Sequence, residues 1–254
     1  MSQSLIGYLE DNSLAIMAEA LSDARVHAGA SLVNVTDDDL QVAFYTLLLK
    51  IIDTLREKSD EPVEAAPDIR TVFLHKCRGI MEFIDGQSSY TSGHTSAVVR
   101  HCVQIASRLG MTDEQIDDIE YVAWIHNIGL INQSHRLATL PRPLTQDEIA
   151  QARNHTVLGA EIIRPIDFLA HYVPIIRYHH HSYDGGGKAP FTEPRGENLP
   201  LGARIICLAD AYQAMLEPRA YRGALKRKEA LLEISKRSGS QFDPKLISLA
   251  HELT

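Results

Sequence analysis

The chain is poor in the features that mark secreted, membrane or nucleic-acid-binding proteins. Cysteine is scarce. Cys77, Cys102 and Cys207 are the only three, they share no metal-ligand spacing, and each sits in apolar sequence. Buried free thiols are therefore expected rather than a disulfide framework or a zinc site, and the expected compartment is the reducing cytoplasm. No apolar run reaches the length that crosses a bilayer. The start, MSQSLIGYLEDN, has neither the basic nor the apolar region of a secretory signal, so none is expected. Positive charge is in deficit: 25 Lys and Arg face 33 Asp and Glu, a formal net charge of −8. That argues against a general surface for nucleic acid or anionic membrane, while leaving room for a small basic pocket around a phosphate.

What remains is an ordinary globular composition, 44% apolar and 23% charged over 254 residues, enough for one sizeable core with a small appendage. Apolar residues recur at three- and four-residue spacing through residues 4–58, as in LAIMAEALSDARV and DDDLQVAFYTLLLKIIDTLREK, which predicts helices. Thr36 before Asp37-Asp38-Asp39 is a favourable helix start. The acidic, proline-bearing stretch SDEPVEAAPD reads as a linker. Helical signals then follow one another. HTSAVVRHCVQIASRLG closes on Gly110, a C-terminal cap. Thr112-x-x-Gln115 and Thr145-x-x-Glu148 are capping boxes, the second opening IAQARNHTVLGAEII. Pro174 permits a kink in FLAHYVPIIRYHHHSY, and DGGGKAPFTEPRGENLP reads as a loop. LGARIICLADAYQAML has a strand-like core, but its length and alanines favour a helix. With no hairpin signal and no repeat, the fold class is all-α.

Histidine is the exception to this plainness, with twelve in the chain. The pattern places His94 at the start of a helix, His126 at the end of another, and His155, the pair His179-His180 and Asp210 within three more. Burying such groups in apolar helices is costly unless they are paired or bound to metal. Imidazole and carboxylate together suit iron, manganese or zinc, and such ions polarise phosphoryl oxygens and acidify bound water. Taken singly, each histidine is more often a satisfied core or surface residue. Together they point to a metal site inside a helical bundle.

From residue 70 onward the chain resembles the HD-GYP family, a branch of the HD phosphohydrolases. The resemblance is carried by YTSGHTSAVVRHC, AWIHNIGL, LTQDEIAQARNHTVLGAEIIRPI, IIRYHHHSYDGGGKAP, LPLGARIICLADAYQAML, RAYRGAL and GSQFDPKLI, in that order. It implies an HD-domain helical bundle with a C-terminal HD-GYP extension over 69–254; the linker is placed at 61–68, and residues 1–60 do not match that core but resemble the helical sensor or dimerisation segments of bacterial signalling proteins. It also implies a divalent metal, iron or manganese, held as one or two ions here by His94, His126, His155, His179, His180 and Asp210. The substrate class implied is cyclic di-GMP or a related nucleotide, with Lys188, Arg219 and Arg222 near its phosphates. A homodimer and a signalling protein partner are further expectations.

The departures from the family pattern bear on the chemistry. Asn127 stands in place of the HD aspartate, Leu130 in place of the lysine three residues on, Gly187-Lys188-Ala189 in place of Gly-Tyr-Pro, and His181 in place of a frequent glutamate. A carboxylate offers an anionic oxygen to each of two metals; a carboxamide has one neutral acceptor and an NH2 that only donates. Asn127 therefore weakens the two-metal clamp, and Leu130 removes a nearby cation. Three readings follow: a degenerate metal-binding signalling protein with weak or no hydrolysis, an active phosphohydrolase, and a metal-stabilised scaffold without ligand. Asn127 and Leu130 favour the first.

Overall fold

The computed structural model describes residues 74, 77–79, 81, 82, 85, 86, 92–132, 140–164, 166–186, 194–220 and 222–253. The segments 1–60 and 61–68 read above as helical segment and linker lie outside these, as does Lys188. The helices below belong to the compact unit formed by Cys77–Gly129 and His135–Thr254. Among the described residues every regular element is a helix, and β-type pairing is limited to the isolated bridges Arg219–Arg222 and Ser238–Phe242. No described helix is long and apolar enough to cross a membrane.

Local chemistry sets the helix ends. Helix α1, His94–Arg108, follows Gly93 at a positive φ of 77°. The buried Asp85 carboxylate caps it from outside, accepting from the Thr95 backbone N–H at 2.7 Å and from its hydroxyl at 3.1 Å. Its far end turns on Gly110, whose φ is 71°. The Gly110 N–H donates to Ser107 and the Met111 N–H to Ala106, the paired closure that requires a left-handed residue at this point. Helix α2, Asp113–Ile125, and helix α3, Gln146–Arg153, both open on reciprocal capping boxes, Thr112 with Gln115 and Thr145 with Glu148.

The sequence predicts one helix from Thr145 through Ile163; the structure has two, α3 and α4, His155–Ile163. The break has a local cause. The Ala152 carbonyl, an acceptor the helix ladder would use, is taken at 2.6 Å by the ring Nδ1 of His155. His155 thus opens a helix rather than lying inside one. Helix α5 is short, Val173–Tyr178, with proline in its first turn after the 3-10 segment Asp167–Tyr172. His179 and His180 follow its end, which also differs from the sequence expectation. Helix α6, Leu201–Leu216, is the helix that length and alanine content favour over a strand. Helices α7, Arg227–Lys236, and α8, Pro244–Ala250, close the fold.

Helix α6 is the axis of the unit: it packs against α1, α2, α5, α7 and α8. Ile205, Ile206 and Leu208 of α6 join Val98 and Ile105 of α1, Ile125 of α2 and Ile176 of α5 in full burial. At about 1.5–3 kcal/mol per large apolar side chain, this packing is what holds polar groups beside the core in place.

Candidate metal centre

Three histidines reach the core by the same device. His126 caps the end of α2, His155 opens α4 and His179 caps the end of α5. Each ring uses Nδ1 to reach the carbonyl three residues back: Ala123 at 2.7 Å, Ala152 at 2.6 Å and Ile176 at 2.7 Å. Helix ends leave such carbonyls without backbone partners. A carbonyl only accepts, so Nδ1 carries the hydrogen in all three rings, and in the neutral ring Nε2 is left as a lone pair. Burial, the dominant cause, keeps them neutral: it lowers His126 to about 4, lowers His155, and lowers His179 well below the ordinary value with help from neighbouring histidines.

The consequence is a cluster of acceptors with no donor between them. His155 Nε2 and His179 Nε2 face each other at 3.2 Å, lone pair to lone pair. His126 Nε2 is buried without a hydrogen-bond partner, and its ring stands edge-on to that of His179, centroids 5.2 Å apart. The donor atoms of His155, His179 and His180 lie within 4.8 Å of one another. An orphaned buried acceptor costs on the order of 1–3 kcal/mol, and facing lone pairs repel. A divalent cation among these nitrogens relieves both, so the residues fit a metal of the kind imidazole favours.

Asp210, on α6, supplies the carboxylate. One oxygen lies 2.9 Å from His94 Nε2 and the other 3.9 Å from His180 Nδ1. Burial by itself would raise the Asp210 pKa, but the hydrogen bond and charge of His94, with His180 and His126, hold it well below the usual range. His94 is the mirror case. Burial pulls its pKa down, yet Asp210 on one ring nitrogen and Glu217 on the other raise it to about 10. Both Glu217 oxygens lie within 3.0 Å of His94 Nδ1. Glu217 is a residue that sequence reasoning missed. The signal was periodic: Asp210 and Gln213 on α6 and Glu217 just past its end stand three and four apart, polar positions on one face of a largely apolar helix.

Of the six residues that the resemblance implies as ligands, His155, His179 and His180 are grouped through their donor atoms; the His126 ring lies against His179, Asp210 lies 3.9 Å from His180, and His94 is reached through Asp210. Asn127 is buried beside His126, and Leu130 is half-buried in the 3-10 turn Ile128–Asn132. Gly129 explains its own presence: a Cβ there would lie 2.0 Å from the His155 carbonyl oxygen and 2.6 Å from the Gly159 nitrogen. The turn after His126 thus rests directly on the backbone that starts α4. Arg219 and Arg222 form a tight turn past α6. Arg222 donates to the Met215 and Ala214 carbonyls at the helix end, and Arg219 lies 3.5 Å from Glu217.

An HD-domain family model matches residues 80–246. The cyclic di-GMP phosphodiesterase response regulator RpfG of Xanthomonas campestris is 31% identical over 164 residues, 62% of this chain and 43% of that protein. The 3'3'-cGAMP-specific phosphodiesterase 2 of Vibrio cholerae is 24% identical over 194 residues, 76% of this chain and 37% of that protein. An HDG"Y"P protein from Bdellovibrio bacteriovorus shares the fold, with a TM-score of 0.56 at 14% identity over 96% of this chain and 79% of that one. The family model shows that this chain belongs to the HD-domain family, and the relatives together with the shared helical fold support its HD-GYP branch. It is related to the cyclic di-GMP phosphodiesterases of that type, and spans less than half the length of these two curated relatives.

The buried neutral rings fix the acid response of the metal-free chain. His126 and His180 are lowered to about 4 and about 3 in the fold, against about 6.5 when unfolded. As pH falls below about 6.5 the unfolded chain takes up protons that the folded chain refuses, so stability is lost from there down to about 3. The urea midpoint measured in chelator should decline steadily across that window. A flat midpoint would mean that the rings accept protons without leaving the fold.

Proposed function

We propose that this chain is a degenerate HD-GYP-type signalling protein that binds a metal ion and a cyclic dinucleotide, with weak or no hydrolysis. The observation that carries the reading is the contrast within one stretch of chain. His126 keeps its ring hooked to the backbone, against His179, with its Nε2 buried and unpartnered, while Asn127 beside it offers a carboxamide where the family pattern has a carboxylate. His94, His126, His155, His179, His180 and Asp210 would hold the ion, iron or manganese, and when bound it would polarise a phosphoryl oxygen and acidify a water. A single ion suits this donor set, because loss of the bridge leaves the repulsion between two cations uncompensated.

The names of the relatives support cyclic di-GMP, or a close analogue such as 3'3'-cGAMP, as ligand. Arg219, Arg222 and Lys188 are the candidate phosphate contacts. Arg222 spends two donors on the end of α6 and keeps others in its fork for an anion. Residues 1–60 are proposed as the segment that senses a signal or pairs two chains, and 69–254 as the HD-GYP domain, acting in the cytoplasm through a signalling partner. An active phosphohydrolase is the second reading, favoured by Glu217, which brings another carboxylate to the edge of the centre.

Metal analysis of protein purified without added ions, together with calorimetric binding of cyclic di-GMP, tests the proposal. About one ion per chain and saturable nucleotide binding are expected. Protein without metal, or metal-loaded protein that ignores the nucleotide, would overturn it.

A further inference from the structure

We infer that Glu217 is a positioning residue for the metal centre, acting through His94. The inference rests on the metal-binding reading above. His94 has two ring nitrogens and both are engaged. Nδ1 sits against both oxygens of Glu217, at 2.9 and 3.0 Å, and Nε2 lies 2.9 Å from Asp210. Both partners are carboxylates that accept, so without a cation both ring nitrogens carry hydrogen; a cation beside Asp210 would replace the hydrogen on Nε2, while Nδ1 keeps its own toward Glu217. A carboxylate behind a ligating imidazole fixes the ring's orientation and raises its basicity as a donor.

Glu217 is itself held in place. Gln213 donates its amide N–H to Glu217 at 2.8 Å, while its amide oxygen lies 3.2 Å from His101 Nε2. That assignment leaves the amide one consistent orientation, because the carboxylate needs a donor. Arg219 approaches the second oxygen at 3.5 Å. A side chain so constrained, 13% exposed, keeps the His94 ring in one pose. The three rings of His126, His155 and His179 are held by backbone carbonyls, whereas His94 engages carboxylates with both ring nitrogens. Glu217 does for His94 what the main chain does for His126, His155 and His179.

The test is manganese affinity of the full chain, measured by equilibrium dialysis with metal analysis, in the wild type, Glu217→Ala, Glu217→Gln, His94→Ala and the double variant. Glu217→Ala is expected to weaken binding by about 10–100-fold. Glu217→Gln preserves the shape and an accepting oxygen, so it is expected to lose less, and it stands in if the alanine variant fails to fold. Once His94 is alanine, removing Glu217 is expected to cost nothing further, an outcome a merely structural role would not give. Unchanged affinity in both Glu217 variants overturns the inference, as do Glu217 and His94 losses that add. Those results leave the metal reading standing. A wild type that binds no manganese overturns that reading, and this inference with it.

Discussion

Replacing Asn127 by Asp is expected to raise hydrolysis of cyclic di-GMP by on the order of a hundredfold over the wild type. The position follows His126 directly and is buried with it, so a new carboxylate enters a site whose imidazoles are already aimed. Two effects add. The second anionic oxygen can serve a second ion, and the clamp on attacking and leaving oxygens becomes available. The extra negative charge also offsets repulsion between two cations. Metal content should therefore rise from one ion toward two along with turnover. Adding Leu130→Lys restores the cation that the family pattern carries at this position and is expected to raise turnover again. Steady-state assays with metal analysis of each variant check this. A wild type that already turns over as fast as Asn127→Asp would show that the carboxamide does not limit the chemistry.

Gly129→Ala is expected to be the most damaging single methyl in the described fold. The added carbon would lie 2.0 Å from the His155 carbonyl oxygen and 2.9 Å from its carbonyl carbon. Both belong to the backbone, so no side-chain rotation relieves the clash. Overpacking that a rotamer could absorb costs about 1–3 kcal/mol; here the start of α4 must move, and a loss of at least about 3 kcal/mol is expected. His155 would move with it, so metal affinity should fall in parallel. Urea unfolding and metal binding measured on the same preparation test the coupling. A variant that is destabilised yet binds metal normally would mean that α4 shifts as a body without disturbing its histidine.

Much of this was legible in the sequence because the signals were local. Thr112 with Gln115, Thr145 with Glu148, and Gly110 each predict a helix boundary that the backbone adopts. The identity of the histidines that converge was legible through the family resemblance. Their placement was not, since periodicity cannot see that a ring will take the carbonyl of Ala152 and end a helix there. Glu217 was illegible for a different reason. Its role depends on a partner 123 residues away in sequence, and an acid at a helix end reads as solvated surface until α1 is packed against α6. Gly129 stands in AWIHNIGL without a local signal, because its necessity lies in a close approach of two backbones that only the fold brings together.

The hooks on Ala123, Ala152 and Ile176 carry a consequence for mutational tolerance. Their acceptors are main-chain oxygens, which every amino acid possesses. Substituting the side chains at those positions leaves the acceptors in place as long as the helices form. The aim of three imidazoles is thus insulated from much of the drift that would scramble a site oriented by side-chain partners. Chemistry at 127 and 130, which depends on side-chain identity, has no such insulation. Substitutions at 127 and 130 can therefore alter the pocket's chemistry without disturbing how the three imidazoles are held.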